Sequence, residues 1–489
     1  MNILFVNPSI GYFDRAVFNP LGLLSIASHI KRLGHNVKMI DRCVKRVNMK
    51  KLYNEFKPDI IGVSLMSSRG IKDALRVSEI AKSMGIPVAW GGAMPTMQYR
   101  ECLSEECVDY VLLSEGEFTF EELVEVVEGK KEAKDVLGLC YKENGEIIRN
   151  ADRPFADLAD MPVADYSLID VDKYLIEYLG CKKMMYIYSS KGCPYNCSFC
   201  TNASFHRCQH RKRPNEQVIR EIKYLQDNYG LDGVYFSDEQ WVIKKEDAWD
   251  FCRLIEENDI HIHFGVQCRV GFFTKEEYQR LYDVGLRWVL VGVETGSEEI
   301  QKKVHKQIDY NIVIPAFKDL MNIGITTVAS FIVGYPDETV EQVKDTVNLI
   351  QKLNSSISLV YYFSPLPGSK LYDEVVASGK YKPVKTLKEM SKTVATESLA
   401  QNLSQIPSLD LKVIRCCNNW GVFTKEDAYR NERKYQFMIS TIKSGLHAIS
   451  QKGVILFFVD GFKAFCEFVY TFWYSHAYPK IKRKYDIRL

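Results

Sequence analysis

The sequence has almost no excess of charge of either sign. Its 489 residues carry 64 Lys and Arg against 62 Asp and Glu, which gives a formal net charge of +2. Because acids and bases are interspersed, no nucleic-acid-binding surface is predicted, and small molecules or another protein are the expected partners. The first apolar stretch, "MNILFVNPSI", has no basic segment before it, so we predict a buried strand instead of a signal peptide and expect a cytoplasmic protein.

The sequence also lacks the G-x-G-x-x-G pattern after its first predicted strand, so it gives little support to a dinucleotide-binding site. The sequence is instead notable for its length and for its number of cysteines. A chain of 489 residues exceeds one ordinary hydrophobic core and indicates roughly two to four domains. In a reducing compartment, its 14 cysteines are expected to be metal ligands or small buried side chains.

The first part of the chain alternates predicted strands with amphipathic helical patterns. The strands are "NILFVN", "NVKMID", "DIIGVSL", "IPVAWGG" and "VDYVLLSEGE". This alternation predicts an α/β fold with a doubly wound parallel sheet, in which ligands bind beyond the carboxyl ends of the strands. The small or polar residues predicted at that edge are Asn7, Ser64, Gly91, Gly92, Glu115 and Gly116.

After residue 141 the alternation of strand and helix patterns stops. "YKENGEIIRN" predicts a hairpin around Asn144 and Gly145, and the proline-rich, acidic stretch after it is typical of a linker. From Met185 a second series of about six strand-helix units predicts a partial or full TIM-type barrel. We therefore predict a sheet domain at 1–141, a linker at 142–184, a barrel at 185–383 and a mostly helical domain at 384–489.

The working residues of such a barrel lie just past its strands. Five such residues are predicted at the ends of strands two to five: Asp238, Glu239, Arg269, Glu294 and Gly334. The loop after strand one carries Cys193, Cys197 and Cys200 in a C-x3-C-x2-C spacing, among residues that turn tightly. Three thiolates fit an iron–sulfur cube with one open iron, whereas a structural zinc site needs a fourth ligand from Cys208, His206 or His210.

C-x3-C-x2-C with an aromatic residue, Phe199, before the last cysteine resembles the radical S-adenosylmethionine (SAM) enzymes. "YFSDEQW", "VGVETGSEEI" and "FIVGYPDET" resemble further motifs of that family in the same order. The resemblance implies a [4Fe-4S] cluster whose open iron chelates SAM. Reduction by a donor such as flavodoxin or ferredoxin then yields methionine and a 5′-deoxyadenosyl radical.

The residues ahead of the barrel resemble the cobalamin-binding domain of B12-binding radical SAM proteins. The matching stretches are "NPLGLLSIASHIKRLGHNVKMID", "PDIIGVSL", "VAWGGAMPT" and "VDYVLLSEGEFTFEEL". The sequence departs from the pattern because D-x-H-x-x-G is absent, and His35 lies in a tight turn. The resemblance thus implies cobalamin without a histidine ligand to cobalt; the alternative is a domain that keeps the fold and has lost the cofactor.

The resemblance assigns roles to the predicted residues. Cys193, Cys197 and Cys200 are the cluster ligands, and Phe199 packs beside the adenine of SAM. The remaining SAM contacts are Asp238 and Glu239 to the ammonium group, Arg269 to the carboxylate, Glu294 to the ribose, and Gly334. Cobalamin is expected at Asn7, Ser64, Gly91, Gly92, Glu115 and Gly116. For the charged SAM contacts, the alternative is an ordinary salt bridge at the barrel mouth.

Near the end of the chain, the strongly aromatic segment 453–479 is followed by basic residues. One interpretation is a helix packed on the barrel with a solvated tail. The other is contact with a membrane surface through Trp473, Tyr474 and Tyr478, with Lys480, Lys482, Arg483 and Lys484 facing anionic headgroups, which would suit a lipid or tetrapyrrole substrate.

The sequence therefore predicts a B12-binding radical SAM enzyme that modifies an unactivated carbon, with methylation from methylcobalamin as the first hypothesis. Cyclisation or oxidation, as in anaerobic magnesium-protoporphyrin ester cyclases, is the second. A zinc-stabilised binding module is a third hypothesis from a different class. The predicted ring of charged groups at the barrel mouth argues against the third.

Overall fold

The protein is described by a computed structural model covering residues 1–10, 18–178, 180–392, 401–424, 469–470, 473–474 and 477–487. Its strands are β1 Asn2–Asn7, β2 Asn36–Asp41, β3 Ile60–Ser64, β4 Val88–Gly91, β5 Tyr110–Leu112, β6 Leu139–Glu143, β7 Glu146–Arg149, β8 Ile176–Tyr178, β9 Cys181–Ile187, β10 Ser190–Lys191, β11 Arg211–Lys212, β12 Gly233–Phe236, β13 His263–Gln267, β14 Leu286–Glu294, β15 Thr326–Val333 and β16 Ile357–Tyr362.

The helices carry the chain between these strands. They are α1 Leu21–Arg32, α2 Met49–Phe56, α3 Ile71–Ser83, α4 Ala93–Met97, α5 Tyr99–Leu103, α6 Glu117–Val127, α7 Asn202–Phe205, α8 Asn215–Tyr229, α9 Lys245–Glu257, α10 Lys275–Val284, α11 Glu298–Lys303, α12 Tyr310–Ile323, α13 Val340–Leu353, α14 Lys370–Ala377, α15 Leu387–Met390, α16 Ser408–Thr424 and α17 Pro479–Lys484. Within the described ranges, no helix is both long and apolar enough to cross a membrane.

The chain divides into two compact units. Of the described residues, the first unit comprises 1–10, 18–174 and 383–392, and the second comprises 175–178, 180–382, 401–424 and those from 469 onwards. The first boundary lies after Tyr174 because the residues that follow it form β8, which pairs antiparallel with β9 of the second unit. The predicted linker 142–184 therefore contains strands of both units, and the predicted C-terminal region begins with a segment that packs on the first.

The first unit is the doubly wound sheet that the sequence predicts. Its strand order is β2-β1-β3-β4-β5-β6-β7, with the first five strands parallel. Alternate side chains of β1 cover both faces: Leu4 and Val6 pack into the cluster formed with α2 and α3, whereas Phe5 contacts Phe120 of α6 at 4.7 Å between ring centroids. A sheet buried on both faces explains why β1 reads as a continuous apolar run.

The hairpin predicted around Asn144 and Gly145 is confirmed, since β6 pairs antiparallel with β7 across these two residues. Both adopt positive φ, 51° and 84°, as a two-residue hairpin turn requires. The hairpin continues the first sheet, because β6 also pairs antiparallel with β5.

In the second unit, β9, β12, β13, β14, β15 and β16 are parallel neighbours in chain order, and helices connect them. β16 and β8 are the edges of this sheet in the part of the chain that the structure describes, so the partial form of the predicted (β/α)6 barrel is the one observed. All six predicted barrel strands are confirmed, which places their carboxyl ends along one edge.

Candidate active site

The three predicted cluster cysteines lie on one loop, residues 188–210, which we call the cysteine loop. It follows β9, and a short ribbon closes its base, because β10 pairs antiparallel with β11. Cys193, Cys197 and Cys200 are all partly exposed. The loop is therefore anchored at its two ends and presents its thiols at the mouth of the barrel.

Asn202 holds the cysteine loop together from inside. Its side-chain amide donates to the carbonyls of Cys193 at 2.6 Å and Tyr195 at 3.2 Å, and its amide oxygen accepts from the Cys193 N–H at 3.1 Å. The Asn202 N–H points at the Cys200 sulfur, 3.4 Å away. Only 6% of Asn202 is exposed, so its side-chain polar atoms depend on these partners.

Gly192 gives the loop its entry turn. It adopts φ +82°, and a Cβ at this position would lie 2.1 Å from the carbonyl oxygen of Gln209 on the returning strand of the loop. No other residue fits this approach. The Gly192 N–H donates to Glu239 at 2.9 Å, and Glu239 also lies 3.2 Å from the His206 imidazole.

Asp238 and Glu239 support the loop from the end of β12. Asp238 is fully buried and accepts hydrogen bonds from the Ser189 N–H at 2.8 Å, the Ser189 hydroxyl at 2.5 Å and the Ser190 hydroxyl at 2.9 Å. Burial raises the pKa of Asp238 to about 6. Both oxygens of Asp238 already accept hydrogen bonds, whereas the Glu239 side chain is 47% exposed and accepts from Gly192, the residue before Cys193.

The other predicted SAM contacts lie at the ends of neighbouring strands. The Arg269 guanidinium lies over the Tyr195 ring at 3.5 Å from its centroid. Glu294 ends β14 and forms an ion pair with Lys306 at 3.2 Å. Phe199 packs edge-on against Tyr335 with centroids 6.2 Å apart, and Gly334 directly precedes Tyr335. The structure thus gathers every residue predicted for the SAM site within one unit.

Burial and nearby cationic side chains have opposite effects on the pKa values of the Cys193 and Cys200 thiols. Burial raises the pKa of the Cys200 thiol to about 11, the nearby Cys193 and Cys197 thiols add to the rise, and the Lys306 ammonium opposes it. Burial also raises the pKa of Cys193, with Lys306 and Arg269 opposing. The free thiols of Cys193 and Cys200 are therefore protonated at neutral pH, and a metal that binds them must displace protons.

The donor set fits an iron–sulfur cluster better than a single zinc ion. In the described residues, no three His, Cys, Asp or Glu side chains converge closely enough to hold one metal ion. A zinc ion with Zn–S bonds of about 2.3 Å requires such convergence, whereas a cluster spreads its thiolates over separate irons. Of the candidate fourth ligands, His206 lies 3.2 Å from Glu239, His210 lies 2.8 Å from the Gln240 carbonyl, and the Cys208 thiol lies 3.7 Å from the Tyr195 carbonyl, so each has another polar neighbour.

The first unit brings the predicted cobalamin residues to one edge. Asn7, Ser64 and Gly91 end the adjacent strands β1, β3 and β4, with Ser64 and Gly91 in register. The Asn7 amide donates to Asp41 at 3.0 Å. Gly92 has φ +100°, and a Cβ there would lie 2.6 Å from the Leu65 carbonyl oxygen, so close packing of the backbone already requires this glycine.

Glu115 and Gly116 follow β5 at the same edge. Glu115 is partly exposed, and a Cβ on Gly116 would lie 2.8 Å from the Ile26 side chain. The described histidines of this unit lie elsewhere: His29 is buried on α1 against Glu121 at 2.6 Å, and His35 contacts the N-terminal ammonium before β2. The edge suits a ligand approached by small residues, and its described residues offer cobalt no imidazole.

Sequence reasoning missed Asn202 and Lys306, and it gave no role to the buried acid Glu338 within the motif "FIVGYPDET". Asn202 stands two residues after Cys200, where its proximity was a usable signal. Lys306 lies in "VHKQ", a stretch with no motif, and reaches the site only through the fold. Glu338 follows Gly334 in the predicted turn and accepts its N–H at 2.5 Å.

Comparison with known proteins agrees with this geometry. The family described as the Radical SAM superfamily matches residues 187–350, and the B12 binding domain matches residues 15–124. An uncharacterised methyltransferase of Pyrococcus horikoshii is 32% identical over 369 residues, which cover 73% of this chain and 79% of that protein. The anaerobic magnesium-protoporphyrin IX monomethyl ester cyclase of Rubrivivax gelatinosus is 26% identical, covering 77% and 70%.

A solved structure shares the fold. The radical S-adenosylmethionine methyltransferase TsrM from Kitasatospora setae, with cobalamin and a [4Fe-4S] cluster bound, has a TM-score of 0.68 at 15% identity and covers 90% of this chain and 98% of that one. Together with the three-thiol loop and the preceding sheet domain, these similarities show that the chain belongs to the radical SAM superfamily, among the members that carry a B12-binding domain ahead of the barrel.

Proposed function

We propose that the chain methylates an unactivated carbon of a small-molecule substrate. The observation that carries the proposal is the presence, in one chain, of three thiols on a preorganised loop at a barrel mouth and of a B12-binding domain. The P. horikoshii relative is described as a methyltransferase, which supports the same assignment. A lipid or a tetrapyrrole is the substrate class that we propose.

When bound, the cluster and SAM supply a 5′-deoxyadenosyl radical, and cobalamin supplies the methyl group. The chain's own residues bind and orient these groups: Cys193, Cys197 and Cys200 hold the cluster, and Phe199 packs beside adenine. Of the two acids predicted to meet the SAM ammonium, Glu239 is the better placed, because both oxygens of Asp238 already accept hydrogen bonds from Ser189 and Ser190. Asp238 instead fixes the base of the cysteine loop.

The first experiment is anaerobic purification with cobalamin supplied, followed by metal analysis and incubation with SAM and dithionite, or with reduced flavodoxin or ferredoxin. We expect about four irons, bound cobalt and 5′-deoxyadenosine. Zinc without iron, and no SAM cleavage, would contradict the radical assignment and support the zinc-stabilised binding module.

A second candidate function is radical cyclisation or oxidation, favoured by the similarity to the magnesium-protoporphyrin cyclase. Product stoichiometry separates the two. Methylation consumes a second SAM and releases S-adenosylhomocysteine along with 5′-deoxyadenosine, whereas cyclisation yields 5′-deoxyadenosine without S-adenosylhomocysteine.

We also infer contact with an anionic membrane surface through the C-terminal segment. Tyr470 and Trp473 are 42% and 51% exposed, and Trp473 packs edge-on against Tyr478 at 5.3 Å, directly before the basic helix α17. Exposed aromatic rings beside Lys and Arg suit a lipid headgroup region. Co-sedimentation with vesicles of phosphatidylserine and phosphatidylcholine tests this. Binding that is lost in a Trp473→Ala variant supports the inference, and equal recovery with and without vesicles overturns it.

A further inference from the structure

Lys306 is held at the active site by a strained segment of backbone. It lies between two non-glycine residues in the left-handed region, His305 with φ 55° and Gln307 with φ 53°. Such conformations are unfavourable for residues with a side chain and persist where the surroundings fix them, often at functional sites. The strained flanks turn the chain so that Lys306 faces inward, with 12% of its side chain exposed, while both neighbours are exposed.

Arg269 fixes this segment from the next strand. Its guanidinium donates to the Lys306 carbonyl at 2.6 Å and to the Gln307 carbonyl at 3.4 Å, and its flat face covers the Tyr195 ring. The Lys306 N–H donates to the Gln301 carbonyl at 3.1 Å. Arg269 therefore directs two of its five N–H donors to the backbone that carries Lys306, and one face of its guanidinium covers an aromatic ring.

Glu294, the ion-pair partner of Lys306, is also fixed by local backbone geometry. Glu294 has φ 72° at an irregularity in the pairing of β14 with β15, and its carboxylate lies 3.2 Å from the Lys306 ammonium. Gly292 leaves room for the pair, since a Cβ there would lie 2.2 Å from the Glu294 oxygen and 3.0 Å from the Lys306 nitrogen. A lysine ammonium close to the cluster cysteines matches the carboxylate of an amino acid.

We propose that Lys306 binds the carboxylate of SAM and that Arg269 is a positioning residue that holds Lys306 in place. The inference rests on the proposed function, since it assumes that SAM binds beside the cysteine loop. It moves the carboxylate contact predicted for Arg269 to a lysine that no sequence motif marks. Binding of SAM replaces one carboxylate neighbour of Lys306 by another, so the ammonium is not left unpaired.

The test compares SAM with decarboxylated SAM in anaerobic, cluster-loaded protein of matched iron content. Dissociation constants are measured by equilibrium dialysis, and the SAM-induced change in the electron paramagnetic resonance spectrum of the reduced cluster is titrated in parallel. We expect Lys306→Met to weaken SAM roughly 10- to 100-fold, as for loss of a charged hydrogen bond, and to leave decarboxylated SAM within about twofold. Lys306→Arg restores most of the preference.

The matched control is Lys302→Met, which removes an exposed lysine from α11 four residues away and leaves both affinities unchanged. Arg269→Ala keeps every proposed SAM ligand and tests the positioning role even if Lys306→Met fails to load the cluster. It is expected to weaken SAM more than decarboxylated SAM, and to add nothing in the Arg269→Ala/Lys306→Met double variant.

An undiminished preference for SAM in Lys306→Met overturns the assignment of Lys306. An equal loss of both ligands in Arg269→Ala overturns the positioning role. Failure of the radical SAM assignment looks different, because the wild-type protein then holds no iron and binds neither ligand. Failure of methylation alone appears as the absence of S-adenosylhomocysteine and leaves these binding results unchanged.

Discussion

At the scale of single residues, the cysteine loop depends on one buried amide. Asn202 replaces the water that the carbonyls of Cys193 and Tyr195 would otherwise bind, and it does so at 2.6 and 3.2 Å. Because it also accepts the Cys193 N–H, it fixes the backbone on both sides of the first cluster ligand. A loop held in this way presents its thiols without further ordering when the cluster assembles.

Replacing Asn202 by Ala should therefore remove bound iron. The substitution leaves buried backbone groups without partners and is expected to cost about 2–4 kcal/mol locally. Metal analysis and thermal unfolding of the anaerobically purified variant measure the effect. Ser204→Ala is the control, since Ser204 is exposed on the same short helix and donates to the Gly368 carbonyl. Equal iron content in both variants would show that the hydrogen bonds of Asn202 are not needed for cluster binding.

A second single residue, Glu338, is a buried acid whose two oxygens differ. One oxygen accepts from the N–H groups of Gly334 at 2.5 Å and Tyr335 at 3.1 Å, whereas the other is buried without a hydrogen-bond partner in the described residues. Burial raises the pKa of Glu338 to about 8, and the two N–H donors only partly oppose this. The folded protein thus holds the acid protonated at neutral pH.

The pH dependence of stability follows from that shift. The pKa of Glu338 rises from an ordinary value of 4.5 to about 8 on folding. Its stabilising contribution is therefore complete below about pH 4.5 and is lost as pH rises towards 8, by about 1.4 kcal/mol per pH unit. Glu338→Gln keeps an acceptor for both N–H groups and removes the ionisation.

We expect the thermal unfolding midpoint of Glu338→Gln, relative to that of the wild type, to increase as pH rises from 5.5 to 7.5. The exposed Glu341→Gln, three residues later, should follow the wild type throughout. A midpoint difference that does not change with pH would contradict the assigned pKa of Glu338.

At the scale of elements, the cysteine loop is tied to helix α8 by a buried ion pair. Arg213 and Glu221 lie 2.6 Å apart, and each side chain is only 2% exposed. Arg213 also donates to the Tyr188 carbonyl at 2.7 Å, at the start of the loop. The pair thus couples the end of β9 to the first turns of α8.

Removing one member of this pair is expected to cost more than removing both. Arg213→Met leaves the Glu221 carboxylate buried without its partner, which costs about 3–5 kcal/mol. The double variant Arg213→Met/Glu221→Gln should recover part of this loss. Chemical denaturation of the four proteins in a double-mutant cycle measures the coupling. Additive losses would mean that the two side chains are stabilised independently.

At the scale of the whole molecule, the chain returns to its first unit after the last strand of the barrel. Residues 383–392 belong to the first unit, and the helix Leu387–Met390 packs against α3. Leu387 and Met390 are 1% and 5% exposed within the cluster that includes Trp90 and Ile71. The first unit is therefore incomplete without a segment that lies more than 200 residues further along the chain.

Leu387→Ala tests this organisation. We expect it to lower the stability of the B12-binding unit by about 2–5 kcal/mol, as for other buried leucines, and to leave the barrel unit unchanged. Differential scanning calorimetry with and without added cobalamin identifies the transition of the first unit by its shift. A loss confined to the transition that does not respond to cobalamin would contradict the assignment of residues 383–392.

The sequence by itself determined the elements and the chemistry carried by local motifs. Apolar runs such as that of β1 and the Asn144-Gly145 turn specify local backbone geometry, so strands and hairpin were predictable. The thiols of Cys193, Cys197 and Cys200 were predictable as a set for the same reason, because eight consecutive residues contain all three.

Tertiary structure decided everything that joins distant positions. Lys306 reaches Glu294 and the thiols only because β14 and the loop after α11 meet at the barrel mouth, and no local pattern marks it. Likewise, the Asp238 carboxylate oxygens accept hydrogen bonds from Ser189 and Ser190 because β9 and β12 are neighbours. Sequence periodicity specifies which residues are buried in each element, whereas the pairing of charges depends on which elements become neighbours.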